Sequence, residues 1–163
     1  AVKAAYEYVG PVYMRFGRLA VPVINDESTY KFEIGKGVEL RSGKDITIIA
    51  TGLPVSESLE AAKFLAEDGI DAQVINIHTI KPLDEELVVK AAQATGRVFT
   101  VEEHSIIGGL GSAVMECLAE KNPVKVTRIG VRDTFGESGP AKDLLHKYEL
   151  DAEGIYKQIK AAL

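Results

Sequence analysis

The chain has 163 residues, 46% of them apolar and 26% charged, with a net charge of -5. That length fits one ordinary globular domain, able to bury roughly two thirds of its unfolded surface. The acidic balance argues against a nucleic-acid face, which needs clustered Lys and Arg, and no apolar run reaches the roughly 20 residues of a membrane-spanning helix.

Residues 1–25 stand apart. Pro11-Val12-Tyr13-Met14-Arg15-Phe16 predicts a single strand, followed by Val21-Pro22-Val23-Ile24 and the polar stretch Asn25–Tyr30, whose Asn, Asp and Ser mark a linker. We expect residues 1–25 to be the end of a preceding domain plus a connector. The alternative is an edge strand of the same domain. The chain opens at Ala1 without a methionine, so it is expected to be a piece of something longer or a processed product. No signal peptide is visible, and the lone cysteine, Cys117, has no internal disulfide partner; a reducing cytoplasm is the expected compartment.

From residue 26 onward one pattern repeats. A weak edge strand is predicted at Gly37–Leu40. Apolar, β-branched runs follow at Thr47–Ala50, Val74–Ile77, Val98–Val101 and Lys125–Ile129, each separated from the next by a helical stretch. Pro54 suits a first helical turn, Val55, Leu59, Ala62 and Ala66 recur at helical spacing, and Gly69 is placed to end that helix. Asp84 is placed to cap a second helix carrying Leu87, Val88, Ala91 and Ala94, which Gly96 closes. Further helices are predicted at about Gly111–Lys121, Ala141–Tyr148 and Asp151–Ala162. The fold class is α/β, a three-layer doubly wound domain on a mostly parallel sheet.

In such folds, ligands sit beyond the carboxyl ends of the strands. Those ends carry His78, then Glu102, Glu103 and His104, then Arg132 and Asp133. Two histidines near carboxylates could act as acid–base groups, but polar residues at strand ends more often pair with one another or cap helices. No standard metal-ligand spacing is present. The turn Gly108-Gly109-Leu110-Gly111-Ser112 precedes a helix and is either an anion cradle or a packing turn; Val114 departs from a nucleotide fingerprint, and no P-loop lysine follows. Arg15 and Arg18 could grip a phosphate, or be plain solvated charges. Cys117 reads as a small core residue.

The run Val98-Phe99-Thr100-Val101-Glu102-Glu103-His104, closed by Gly108-Gly109-Leu110-Gly111-Ser112, resembles the signature of transketolase-type C-terminal domains. Thr51-Gly52 and Ile77-His78-Thr79-Ile80-Lys81-Pro82-Leu83-Asp84 fit the same family in order, so the resemblance covers essentially the whole chain. The β subunits of 2-oxo acid dehydrogenases and the 1-deoxyxylulose-5-phosphate synthases share these motifs. Phe135-Gly136-Glu137-Ser138-Gly139-Pro140 and the tail Leu150–Ile155 resemble the transketolase versions. Gly10–Arg18 resembles the last strand of the pyrimidine-binding domain in short or split transketolases.

The resemblance implies a non-catalytic C-terminal domain at 26–163, preceded by the end of a pyrimidine-binding domain at 1–25. It implies an enzyme that moves a two-carbon ketol unit between sugar phosphates with thiamine diphosphate and a divalent metal, Mg or Ca. Neither the Gly-Asp-Gly of the metal site nor an aromatic-lined pyrimidine pocket is in this sequence, so this chain is expected to bind no cofactor and to be inactive alone. The implied partners are the other domains or subunit of the same enzyme, in a homodimer. Arg18, followed by Leu19-Ala20-Val21-Pro22, matches the family's substrate-phosphate arginine. Arg15 departs from the long transketolases and, three residues away on a strand, is expected to face the opposite side. A stand-alone anion-binding module built on the Gly108–Ser112 turn is the remaining alternative.

Overall fold

The computed structural model describes residues 1–163. A five-stranded sheet is made of β1 (Val38–Arg41), β2 (Ile46–Thr51), β3 (Ala72–Asn76), β4 (Arg97–Ser105) and β5 (Lys125–Val131). Six helices accompany it: α1 (Val2–Glu7), α2 (Pro54–Glu67), α3 (Glu85–Thr95), α4 (Leu110–Lys121), α5 (Ala141–Lys147) and α6 (Ala152–Ala162). The strand order is β1-β3-β2-β4-β5. All neighbouring pairs are parallel except β1, which lies antiparallel on β3 at one edge.

Alternation along the strands feeds two cores. Ile48, Ala50, Val74, Phe99, Val101 and Ile129 face α2, α5 and α6 through Val55, Ala62, Leu65, Leu145, Ile155 and Ile159. Ile49, Ile75, Ile77 and Val98 face α3 and α4 through Val88, Ala91, Ala92, Leu110, Val114, Cys117 and Leu118. Both faces are covered, which is why the strands read as unbroken β-branched runs rather than as apolar–polar alternation. Full burial of a side chain such as Phe99 is worth about 1.5–3 kcal/mol.

The helix ends follow the local chemistry. Gly69 at φ 78° closes α2: its N–H donates to Ala66 O at 3.0 Å and the Ile70 N–H to Leu65 O at 2.9 Å. This paired return satisfies carbonyls that the helix leaves open, and it needs a left-handed residue. Asp84 caps α3 through the Leu87 N–H at 3.2 Å, and its other oxygen accepts from Gly37 N–H at 3.0 Å. One buried carboxylate therefore ties the start of β1 to the start of α3.

The first thirty residues are different. None of them is buried, and residues 9–25 make no backbone–backbone hydrogen bond. The expected strand Pro11–Phe16 is not formed, and the segment is not an edge strand of this sheet: neither edge strand, β1 or β5, pairs with it. A strand exists only where a ladder satisfies its backbone, so an apolar, β-prone run without a neighbour stays irregular. The facing expected of Arg15 and Arg18 lapses with the strand. The short helix α1 was not expected from the sequence.

Candidate functional site

The carboxyl ends of the parallel strands lie on one side of the molecule. β4 continues to Ser105, so Glu102, Glu103 and His104 belong to the strand, across a register shift between Val101 and Ser105. Glu102 points inward on the α4 face and is 1% exposed, whereas Glu103 and His104 are exposed. The Glu102 carboxylate accepts the N–H groups of Leu110 and Gly111, each at 2.8 Å. It thereby caps α4, placing negative charge where the helix dipole is positive.

This arrangement shapes the glycine-rich turn. A β-carbon on Gly109 would overlap Glu102 Oε2, and one on Gly111 would crowd Arg128 and Thr100. Gly108 takes φ 76°, and its N–H donates to Ser112 Oγ at 2.9 Å. Arg128 Nη1 donates to Ile106 O at 2.7 Å and pins the loop leading into the turn. The Leu110 and Gly111 donors are thus held by a carboxylate from the same chain.

The other strand-end residues do not converge. Half-buried His78 stacks on Phe32 with ring centroids 4.4 Å apart and meets Thr79 Oγ1 at 3.0 Å. Burial pushes its imidazole below the ordinary value of 6.5, which favours the neutral ring at pH 7. His104 Nδ1 lies 3.0 Å from Ser105 O, with the ring exposed. Arg132 and Asp133 are exposed just past β5. No hydrogen bond joins any two of His78, Glu102, Glu103, His104, Arg132 and Asp133. No group of three His, Cys, Asp or Glu side chains is placed to hold a metal ion.

Beside the end of β2, the connector closes over the start of α2. Val21, Pro22, Val23, Ile24, Gly52, Leu53 and Val55 line a cavity of about 220 Å³ there, with Asn25 and Ser56 as its polar members. It holds no titratable group and offers no acid or base. Arg18 is exposed beyond the connector, and Arg15 Nη2 reaches Glu103 O at 3.5 Å. Cys117 is a free thiol, 7% exposed in the α3–α4 core; burial, aided by Glu85, raises its pKa. No helix is long and apolar enough to cross a membrane.

Glu102 follows the expectation that polar residues at strand ends cap helices; what the sequence reading did not single out is this particular cap, on α4 through the glycine-rich turn. Its signal is an acid at a strand end followed by adjacent glycines before a helix, which is the pattern of a turn folded around a side chain. Comparison with known proteins gives the class. The family described as transketolase, C-terminal domain, matches residues 35–155, and the chain belongs to that family. It is 50% identical over 148 residues to a 6-deoxy-6-sulfo-D-fructose transketolase subunit of Clostridium sp. (strain MSTE9), covering 91% of this chain and 46% of that protein. It is 42% identical over 167 residues to 1-deoxy-D-xylulose-5-phosphate synthase 1 of Geobacter sulfurreducens, covering 99% of this chain and 26% of that protein. Among solved structures it superposes on a protein described as a split gene transketolase, inactive beta4 tetramer, with a TM-score of 0.94 and 49% identity. That match covers 99% of this chain and 53% of that one. The chain therefore spans about half the length of these transketolase relatives and about a quarter of the synthase.

Proposed function

We propose that this chain is the C-terminal, non-catalytic part of a transketolase that moves a two-carbon ketol unit between sugar phosphates. The observation that carries the reading is the 50% identity across 91% of the chain to one part of a transketolase subunit about twice as long. In this reading residues 1–25 are the end of the pyrimidine-binding domain plus the connector, and residues 26–163 are the C-terminal domain. The complete enzyme works in the cytoplasm as a homodimer.

Thiamine diphosphate, with Mg or Ca, supplies the ketol-transfer chemistry from the other domains. Two features support that division. No group of ligating side chains in this chain is placed for a metal, and the one glycine-rich helix start already holds the Glu102 carboxylate, which leaves no room for a diphosphate. The residues present here do not fit the cofactor, and no chemical step is assigned to them. Their work is to hold the domain rigid beside the part that reacts. Arg18 is the exception. It is exposed at the end of the segment leading from the preceding domain, and its guanidinium grips the substrate phosphate with a charge-assisted fork.

The match to the synthase covers the chain as fully, at lower identity, and makes that enzyme the second reading. Substrate choice separates the two. The complete enzyme is expected to transfer ketol units between sugar phosphates and to make no 1-deoxy-D-xylulose 5-phosphate. Formation of that product without ketol transfer would replace the transketolase reading.

A further inference from the structure

The connector between Arg18 and the domain has almost nothing to hold it. Residues 9–25 make no backbone–backbone hydrogen bond, and their one side-chain bond, Arg15 Nη2 to Glu103 O, is 3.5 Å long, at the outer limit of an effective contact. Side-chain packing must therefore fix its path. Of residues 1–30, Ile24 alone packs its apolar side chain against either core. It joins the core on the α2 side and lines one cavity with Leu53 and Val55 at the start of α2. Its neighbours Val21 and Val23 remain 55% and 86% exposed, and the cavity of about 220 Å³ beneath them shows that the connector is not close-packed along its length. Ile24 is the single seat that ties this segment to the core.

The link from this seat back to Arg18 is short and partly stiff. Ile24 lies six residues beyond Arg18, a reach of at most about 20–22 Å in an extended chain. Within it, Pro22 locks its own φ at about −65° and drives Val21 into an extended conformation. We infer that Ile24 is a positioning residue: its seat against the start of α2 sets where the connector leaves the domain, and so holds Arg18 at the substrate phosphate. The inference rests on the reading above, in which Arg18 grips that phosphate. Ile24 itself touches no substrate. A guanidinium fork needs its N–H groups aligned with the phosphate oxygens, and a loosened connector spreads the guanidinium over many positions. The interaction lost is the one with phosphate, and the reacting centre is left as it was.

Steady-state kinetics of the complete enzyme test this. Ile24→Ala is expected to raise KM for phosphorylated sugars about threefold to tenfold, while kcat and KM for an unphosphorylated acceptor change by less than about twofold. Ile24→Leu, which refills the seat, is expected to restore the original constants, and Val23→Ala, on the exposed side of the connector, to leave them unchanged. In an Arg18→Ala background, Ile24→Ala should add nothing further to KM, because it acts through Arg18. A urea midpoint checks that each variant folds, and Ile24→Val repeats the test with a shorter truncation where Ile24→Ala does not. A folded Ile24→Ala enzyme with unchanged KM for phosphorylated sugars would overturn the inference. An equal loss on both acceptors, the mark of a structural role, would overturn it as well. The outcome is separable from the functional reading. If Arg18→Ala raises the constant and Ile24→Ala does not, this inference alone is defeated. If Arg18→Ala leaves it unchanged, the reading of Arg18 is defeated and the inference goes with it.

Discussion

Glu102 and Gly109 are fitted to one another: the carboxylate that caps α4 lies where a β-carbon on residue 109 would be. Either change should therefore unseat the same cap. Glu102→Ala leaves two buried N–H groups without an acceptor and should cost about 2–4 kcal/mol. Gly109→Ala overpacks the turn and should cost about 1–3 kcal/mol. Because both act on one contact, the double variant should fall short of the sum by about 1 kcal/mol or more. Urea unfolding of the four proteins measures this, and strict additivity would show that the two residues act independently.

The same pair shows what the sequence could and could not reveal. The four parallel strands, the antiparallel edge strand β1 and the five helices from α2 to α6 were legible because period, caps and glycine stops are local. Asp84 could be read as a cap since its partner, the Leu87 N–H, is three residues away. Glu102 could not, because its partners are reached only after the chain turns back on itself. It read as one member of a polar cluster, and the side-chain direction that separates it from Glu103 and His104 is set by the sheet. The strand expected at Pro11–Phe16 failed for a related reason. Its residues have the propensity, but a ladder needs a neighbour that this chain does not supply.

Glu149 offers a test of backbone strain. It closes α5 in the left-handed region at φ 54°, with its N–H donating to His146 O at 3.0 Å and the Leu150 N–H donating to Leu145 O at 2.8 Å. That position favours glycine, and no hydrogen bond uses the Glu149 side chain. Glu149→Gly should stabilise the domain by about 0.5–1 kcal/mol, read as a higher urea midpoint at unchanged slope. A lower midpoint would show that the side chain contributes more than the strain it imposes.

His146 and Asp151 should set a mild pH dependence at the α5–α6 junction. Their side chains meet at 2.7 Å, and the Asp151 hydrogen bond and charge raise the His146 pKa above 6.5. Burial pushes Asp151 up, but the bonds from His146 and the Gly154 N–H outweigh it and leave its pKa below 3.8. The raised histidine stabilises the fold fully below its unfolded value and loses that contribution as pH rises through the folded value. The lowered aspartate contributes above its unfolded value and loses it as pH falls through the folded one. The pair is thus strongest between about pH 4 and 6.5. An NMR titration should place His146 above 6.5, and Asp151→Asn, which keeps a capping side chain, should lower it. An unchanged midpoint in the variant would rule out the pair as the cause.

In the complete enzyme, Arg18→Ala should raise KM for phosphorylated sugars about tenfold to a hundredfold, since a hydrogen bond to a charged group is worth about 1.5–3 kcal/mol. Steady-state kinetics with an unphosphorylated acceptor should show little change. An equal loss on both substrates would remove Arg18 from the phosphate site and make its role structural.

The central claim, that this chain completes a transketolase without supplying its cofactor chemistry, is tested most directly by complementation. The upstream polypeptide, ended at its natural subunit boundary or just before Ala1, is assayed for ketol transfer between sugar phosphates with and without this chain, beside the active full-length enzyme. Activity that appears only on mixing, and saturates as this chain is added, is the predicted result. Full activity from the upstream polypeptide alone would contradict the claim.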